Sequence, residues 1–408
     1  MMNYQLVLPN GFTLLGDILP EFQSAAVSIA TGIGSAWDPV GKYGLAAFVC
    51  EMMLRGAGNL SARGFLEAID RIGIDRTETL TASNLKFQAA MLKENLEDTL
   101  NLYADLIRFP RMPQDEMEAG RQVLLREMAS IADSPEGKLG QILDEQFYGK
   151  AWGHNVDGDR EGIENIVWED ILYQHKKLLM PNRCVMAVTG NFDWEKIACQ
   201  IERLFGDWER GELPTQPEFV AKRESVHIPS RATQTQIGLA WETLPYAHPD
   251  RLKAWAPISV LSGGMNSRLF NEVREKRGLC YDVDARCCSL RSVAGVFCTA
   301  SCRTENAQQT LDVILQEIRR LEEGITEEEF RAFKARYRMT LLTSQESCQS
   351  WATEMIGDWV NFGRVRRNEE ILEKMESLTL AEVNDYAATH PVGDILLCTL
   401  GRKALKLR

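Results

Sequence analysis

The chain carries one pattern twice. ENLEDTLNLYADLI, from Glu94, and ENAQQTLDVILQEI, from Glu305, share the Glu-Asn start, the Thr-Leu pair and the final Ile. Each spaces its apolar residues as one face of a helix. Both are followed by a break and an acidic helix start, MPQDEMEAGRQVLL in one case and ITEEEFRAFKARYRMTLL in the other. Both are preceded by strand-like runs, TETLTASNLKFQAAML and CYDVDARCCSLRSVAGVFCTAS, and before those by helices ending at Gly73 and Gly278. A pattern that recurs after about two hundred residues is a duplicated domain, not a solenoid repeat. Further strand candidates, VSIATGIGS, CVMAVTG and DILLCTLG, end in glycine turns. Each half therefore reads as α+β, with helices packed on one face of a mostly antiparallel sheet. The Gly-Ile-Gly of TGIGS lacks the third glycine and following helix of a dinucleotide site.

At 408 residues the chain is long enough for two such domains. The polar, proline-bearing stretch around 206–230 separates them, giving a first domain over 1–212, a linker over 213–228 and a second domain over 229–408. A formal charge of −12 argues against a nucleic-acid partner, which needs a basic footprint. No apolar run reaches the roughly 20 residues of a membrane span. The opening residues show no basic segment followed by an apolar core, so a cytoplasmic location is expected. Of the ten cysteines, Cys280, Cys287, Cys288, Cys298 and Cys302 gather in one strand-like region without any CxxC pair. They read as small reduced hydrophobes; a zinc or disulfide site built from them is the alternative.

GLAAFVCEMMLRG, from Gly44, is framed like a metal-binding helix. Positions 47 and 51 lie four apart, on one helical face, where two histidines beside a glutamate would hold zinc and activate water. The framing G-L-A-x-F-x-x-x-M-x-x-x-G resembles the inverted zinc helix of the pitrilysin (M16) peptidases. That family includes the mitochondrial processing peptidases and insulin-degrading enzyme, and its motif is His-x-x-Glu-His. On that resemblance Ala47 stands at the first histidine, Cys50 at the catalytic glutamate and Glu51 at the second histidine. Glu127, in VLLREMASIADSP, fits the family's third ligand. One carboxylate does not hold zinc by itself, and Cys50 points off the ligand face, so no metal is expected in this chain. None of the five histidines (His154, His175, His227, His248, His390) lies near Cys50 in sequence, which disfavours a cysteine nucleophile.

The resemblance spans nearly the whole chain, including YGKAWGHNVDGDREGIENI and LLMPNRCVMAVTGNFD, and is strongest at LSGGMNSRLFNEVREKRGLCYDV. It implies a LuxS/MPP-like fold, half of a clamshell dimer, with Arg274 and Tyr281 reaching across a peptide chamber. Arginine offers a fixed fork of donors to a peptide carbonyl, and a tyrosine hydroxyl can donate to the oxyanion of a tetrahedral intermediate. The resemblance thus implies a zinc-less subunit of a heterodimeric metallopeptidase. The partner is a similar-sized chain with an intact His-x-x-Glu-His and the zinc, and unfolded peptides are the substrates. Peptide capture on an edge strand near TETLTASNLKF is also implied. The alternative is a purely structural or peptide-binding protein, like the core proteins of a respiratory complex. Retention of Arg274 and Tyr281 argues against it.

Overall fold

The structure, a computed structural model, describes residues 3–132 and 134–407. Two compact units are built from interleaved segments. The first comprises 1–130, 154–218 and 342–367, and the second 131–153, 219–341 and 368–408.

The first unit holds strands β1 (Asn3–Val7), β2 (Thr13–Ile18), β3 (Ser24–Ala30), a short ribbon of β4 (Gly56–Ala57) and β5 (Leu60–Ser61), then β6 (Asp75–Leu80), β7 (Leu85–Leu92) and β8 (Val185–Gly190). Its main sheet runs β1-β2-β8-β3-β7-β6. All its pairs are antiparallel except β2 with β8. The second unit contains β9 (Val226–Pro229), β10 (Gln234–Thr243), β11 (Cys280–Ser289), β12 (Ala294–Arg303) and β13 (Leu396–Gly401), ordered β11-β12-β10-β13-β9. Its single parallel pair joins β13 to β9. β8 slots between β2 and β3, and β13 between β9 and β10, so with β1 set aside the duplication read in the sequence reappears as one topology used twice.

The helices follow the apolar periodicity. Leu96–Arg108 and Ala307–Arg319 occupy corresponding places, and each buries Leu and Ile residues beneath its own sheet. Helix Ala62–Ile72 ends at Gly73, whose φ of 75° is the left-handed turn that glycine tolerates. Residues 209–225 form no regular element, and β9 begins at Val226.

The sequence reading put helices on one face of each sheet; the structure adds one to the opposite face. Cys348–Phe362, late in the chain, lies in the first unit and buries Trp351, Ala352, Met355 and Ile356 against Leu15, Ala26, Ala30 and Ala187. Alanines on β3 and β8 keep that face flat enough for a helix to seat. The Trp351 indole N–H donates to Asp17 Oδ2 at 2.8 Å within this core. In the second unit, Pro135–Tyr148 plays the same part on β10 and β12. Its Phe147 ring meets Phe297 edge-on at 5.1 Å between centroids. A Cβ on Gly295 would come within 2.6 Å of the Phe147 ring, so the close approach requires glycine there. The units therefore cross the linear division 1–212, 213–228 and 229–408 at these two helices.

Candidate functional site

Two constellations were singled out in the sequence, and each lies inside one unit. The first is on the helix Leu45–Met53, which starts at Gly44 with φ of 100°. Asp38 anchors that start: its carboxylate accepts the Gly44 and Ala46 amides, each at 2.9 Å. Burial pushes the Asp38 carboxyl upward, opposed by the His154 ring 3.7 Å away and by those amides. Neither Asp38 nor His154 was legible as part of this site. The Asp a few residues before a helix start was the available signal.

Ala47 is buried, and Cys50 packs against the first unit's core. Burial first, then the charges of Glu78 and Glu51, pushes the Cys50 thiol up to about 12. Glu51 is held by Arg55 at 2.6 Å, and Arg55 also grips Glu116 at 2.9 Å. Glu127 lies exposed on the helix Met117–Ala132, its carboxyl raised by partial desolvation and by the charge of Glu51. The fold thus brings the charges of Glu51 and Glu127 within reach of each other, and the helix Leu45–Met53 carries the Cys50 thiol, pushed up by burial, where it carries no histidine. Among the described residues, no group of three or more His, Cys, Asp or Glu side chains is placed to hold a metal ion. This donor set does not fit zinc.

The second constellation is in the second unit. Phe270–Glu275 widens into a π-helix, a form frequent at functional sites. Gly278, with φ of 57°, then turns the chain into β11. Cys280 pairs with Cys302, but Asp282 already pairs with Ser301. Tyr281 is therefore the extra residue of a β-bulge, a device that re-aims a side chain. The residue is 83% exposed. The Arg274 guanidinium stacks between two rings, 4.7 Å from the Phe270 centroid and 5.1 Å from that of Tyr281. The sequence-predicted pair is thus together in space. Phe270 was missed, although it lies four residues before Arg274.

A cavity of about 860 Å³ adjoins this pair, lined by Phe270, Asp282, Asp284, Arg286, Glu136 and Asp144 among others. Desolvation raises the Asp144 carboxyl to about 6, opposed by the Arg286 charge. The arrangement presents hydrogen-bond donors from Arg274 and Tyr281 beside an acidic recess. In the first unit the TETLTASNLKF segment forms β6, the sheet's outer strand, and the start of β7.

A family model described as insulinase (peptidase family M16) matches residues 19–157, and one described as peptidase M16 inactive domain matches residues 165–337. A protein named as an uncharacterized zinc protease in Mycobacterium leprae is 27% identical over 390 residues, covering 93% of this chain and 87% of its own length. YmxG of Bacillus subtilis, likewise named a zinc protease, is 24% identical over 383 residues, covering 93% of each. The crystal structure of a peptidase M16 inactive domain from Pseudomonas fluorescens matches with a TM-score of 0.90 at 19% identity, over 100% of this chain and 99% of that one. The periplasmic protease PqqL from Escherichia coli matches with a TM-score of 0.83 at 18% identity, over 98% of this chain and 45% of that one. At such identities the structural likenesses speak for the fold alone.

Proposed function

Because the chain belongs to the M16 peptidase family, whose two domain models match it in tandem, we propose that it is the zinc-less subunit of a heterodimeric M16 metallopeptidase. It supplies Arg274 and Tyr281 in trans to a partner of similar size that carries His-x-x-Glu-His and the zinc. The carrying observation is the bulge at Tyr281, which exposes the ring beside the stacked Arg274 guanidinium. A tyrosine serving only the core would be buried, and a bulge serving nothing would be an expense to strand pairing. The tie of Glu51 to Arg55 supports the companion claim that the first-unit helix no longer holds metal.

Within this chain the proposed roles are to bind and to polarise. Arg274 donates to a peptide carbonyl, and the Tyr281 hydroxyl donates where negative charge develops on the carbonyl oxygen. Unfolded peptides are the substrates on this reading, and the outer strand β6 offers an edge to which an extended peptide can add. No helix among the described residues is long and apolar enough to cross a membrane. Ten free cysteines suit a reducing compartment, which supports a cytoplasmic place.

The test is to isolate the native complex without chelator and weigh it intact. One similar-sized zinc-bearing partner and one metal per pair are expected. In that complex Tyr281→Phe should lower peptide turnover at least ten-fold, since removing one oxyanion donor typically costs about 10²–10³ in rate. Turnover unchanged in both Tyr281→Phe and Arg274→Ala would remove the assignment and leave the structural reading.

A further inference from the structure

We propose that Cys280 and Cys302 form a reversible disulfide that fixes the start of β11 and thereby the presentation of Tyr281. The two residues are register partners across the antiparallel pair β11–β12. Both are buried in the same core, so their side chains leave the sheet on the same face. Directly opposed Cβ atoms in such a pair stand about 4.5–5.5 Å apart, against about 3.5–4.5 Å across a disulfide. The closing movement is small, and it falls at the first residue of an outer strand, next to the bulge. The other cysteines of these strands lack that relation. Cys298 stands opposite Ala285, Cys287 opposite Val296 and Cys288 opposite Gly295.

The chemistry sets the conditions. Burial raises the Cys280 thiol to about 11, opposed in part by the Arg274 charge, and raises Cys302 as well. The pair is therefore inert at rest and reacts when the strand end opens. The oxidant is a small-molecule disulfide of the glutathione class. Cys280 gives its proton to solvent, and the thiolate attacks one sulfur of that disulfide, expelling a thiolate that is then protonated. Cys302, losing its proton in turn, displaces the second small thiol and closes the protein disulfide. Two protein thiols are oxidised, one external disulfide is reduced to two thiols, and the protons leave with those thiols.

Formation of the bond stands apart from function; its effect on turnover rests on the role proposed for Tyr281. The folded, full-length chain is incubated with oxidised glutathione, remaining thiols are alkylated, and trypsin is added. Cleavage separates the peptides 278–286 and 292–303, of which only the first carries Cys280 and the second carries Cys298 and Cys302. The expected result is one linked species two hydrogens lighter than the two peptides, fragmenting at Cys302 and released by a dithiol. Exposed Cys199, modified in the same sample, reports that the reagent acted. Cys302→Ser abolishes the link, and Cys280→Ser does the same should the first variant fold poorly. Modification of Cys199 with Cys280 and Cys302 still free overturns the proposal, as does a link to Cys298. Oxidation should then shift peptide turnover of the complex in the wild type and not in Cys302→Ser. A link without that shift overturns the control of Tyr281 and leaves the proposed role of Tyr281 itself standing.

Discussion

Glu51 stands where the family resemblance would put a histidine ligand, and its carboxylate is paired with Arg55 four residues on. Their i,i+4 spacing, which puts the two on one face, was the available signal for that pair. Nothing local signals the grip of Arg55 on Glu116, from another segment. His175 carries a different lesson. Its Nε2 is buried without a hydrogen-bond partner among the described residues, and desolvation lowers the ring from 6.5 to about 4. The unfolded chain therefore binds the extra proton first. Stability is complete above about pH 6.5 and falls as the pH drops toward about 4. Between about pH 7 and pH 5 the loss should be roughly 1–2 kcal/mol, and His175→Gln should flatten it. Urea midpoints at the two pH values measure this; equal slopes in wild type and variant would contradict it.

At the scale of elements, periodicity told which segments bury a face, but not against what. CQSWATEMIGDWVNF forms a helix with one apolar side, yet nothing local says that side covers a sheet whose strands span Asn3 to Gly190. The bulge was hidden for a related reason, because no Gly or Pro marks it. Its trace is a slip in alternation: Cys280 is buried, then Val283 and Ala285, so the inward set shifts by one residue after Tyr281. The helix Cys348–Phe362 gives the sharpest element-scale expectation. Trp351→Ala removes a buried ring and leaves Asp17 without its indole donor, so it should destabilise by about 3–5 kcal/mol. A denaturant-midpoint change worth under about 1 kcal/mol would show that this helix contributes little to the first unit.

For the whole molecule, the duplication was legible as a repeat of helices and strands, and the two sheets bear it out in strand order. What composition and pattern left unsaid is that each compact unit draws a helix from the other half of the chain. A consequence is that cutting the irregular stretch 209–225 should not free two domains. Chain nicked there by brief proteolysis should still elute as one species under native conditions and separate only in denaturant. Two species in native buffer would mean that the exchanged helices are dispensable.

The same exchange reaches into biosynthesis. The first sheet is complete once Gly190 has been made, yet the helix that covers its second face ends at Phe362. At about 5–20 residues per second a ribosome takes on the order of 10–30 s to travel between those points. Through that interval the alanine-lined face of β3 and β8 stands open to solvent, a natural landing place for a chaperone that works on nascent chains.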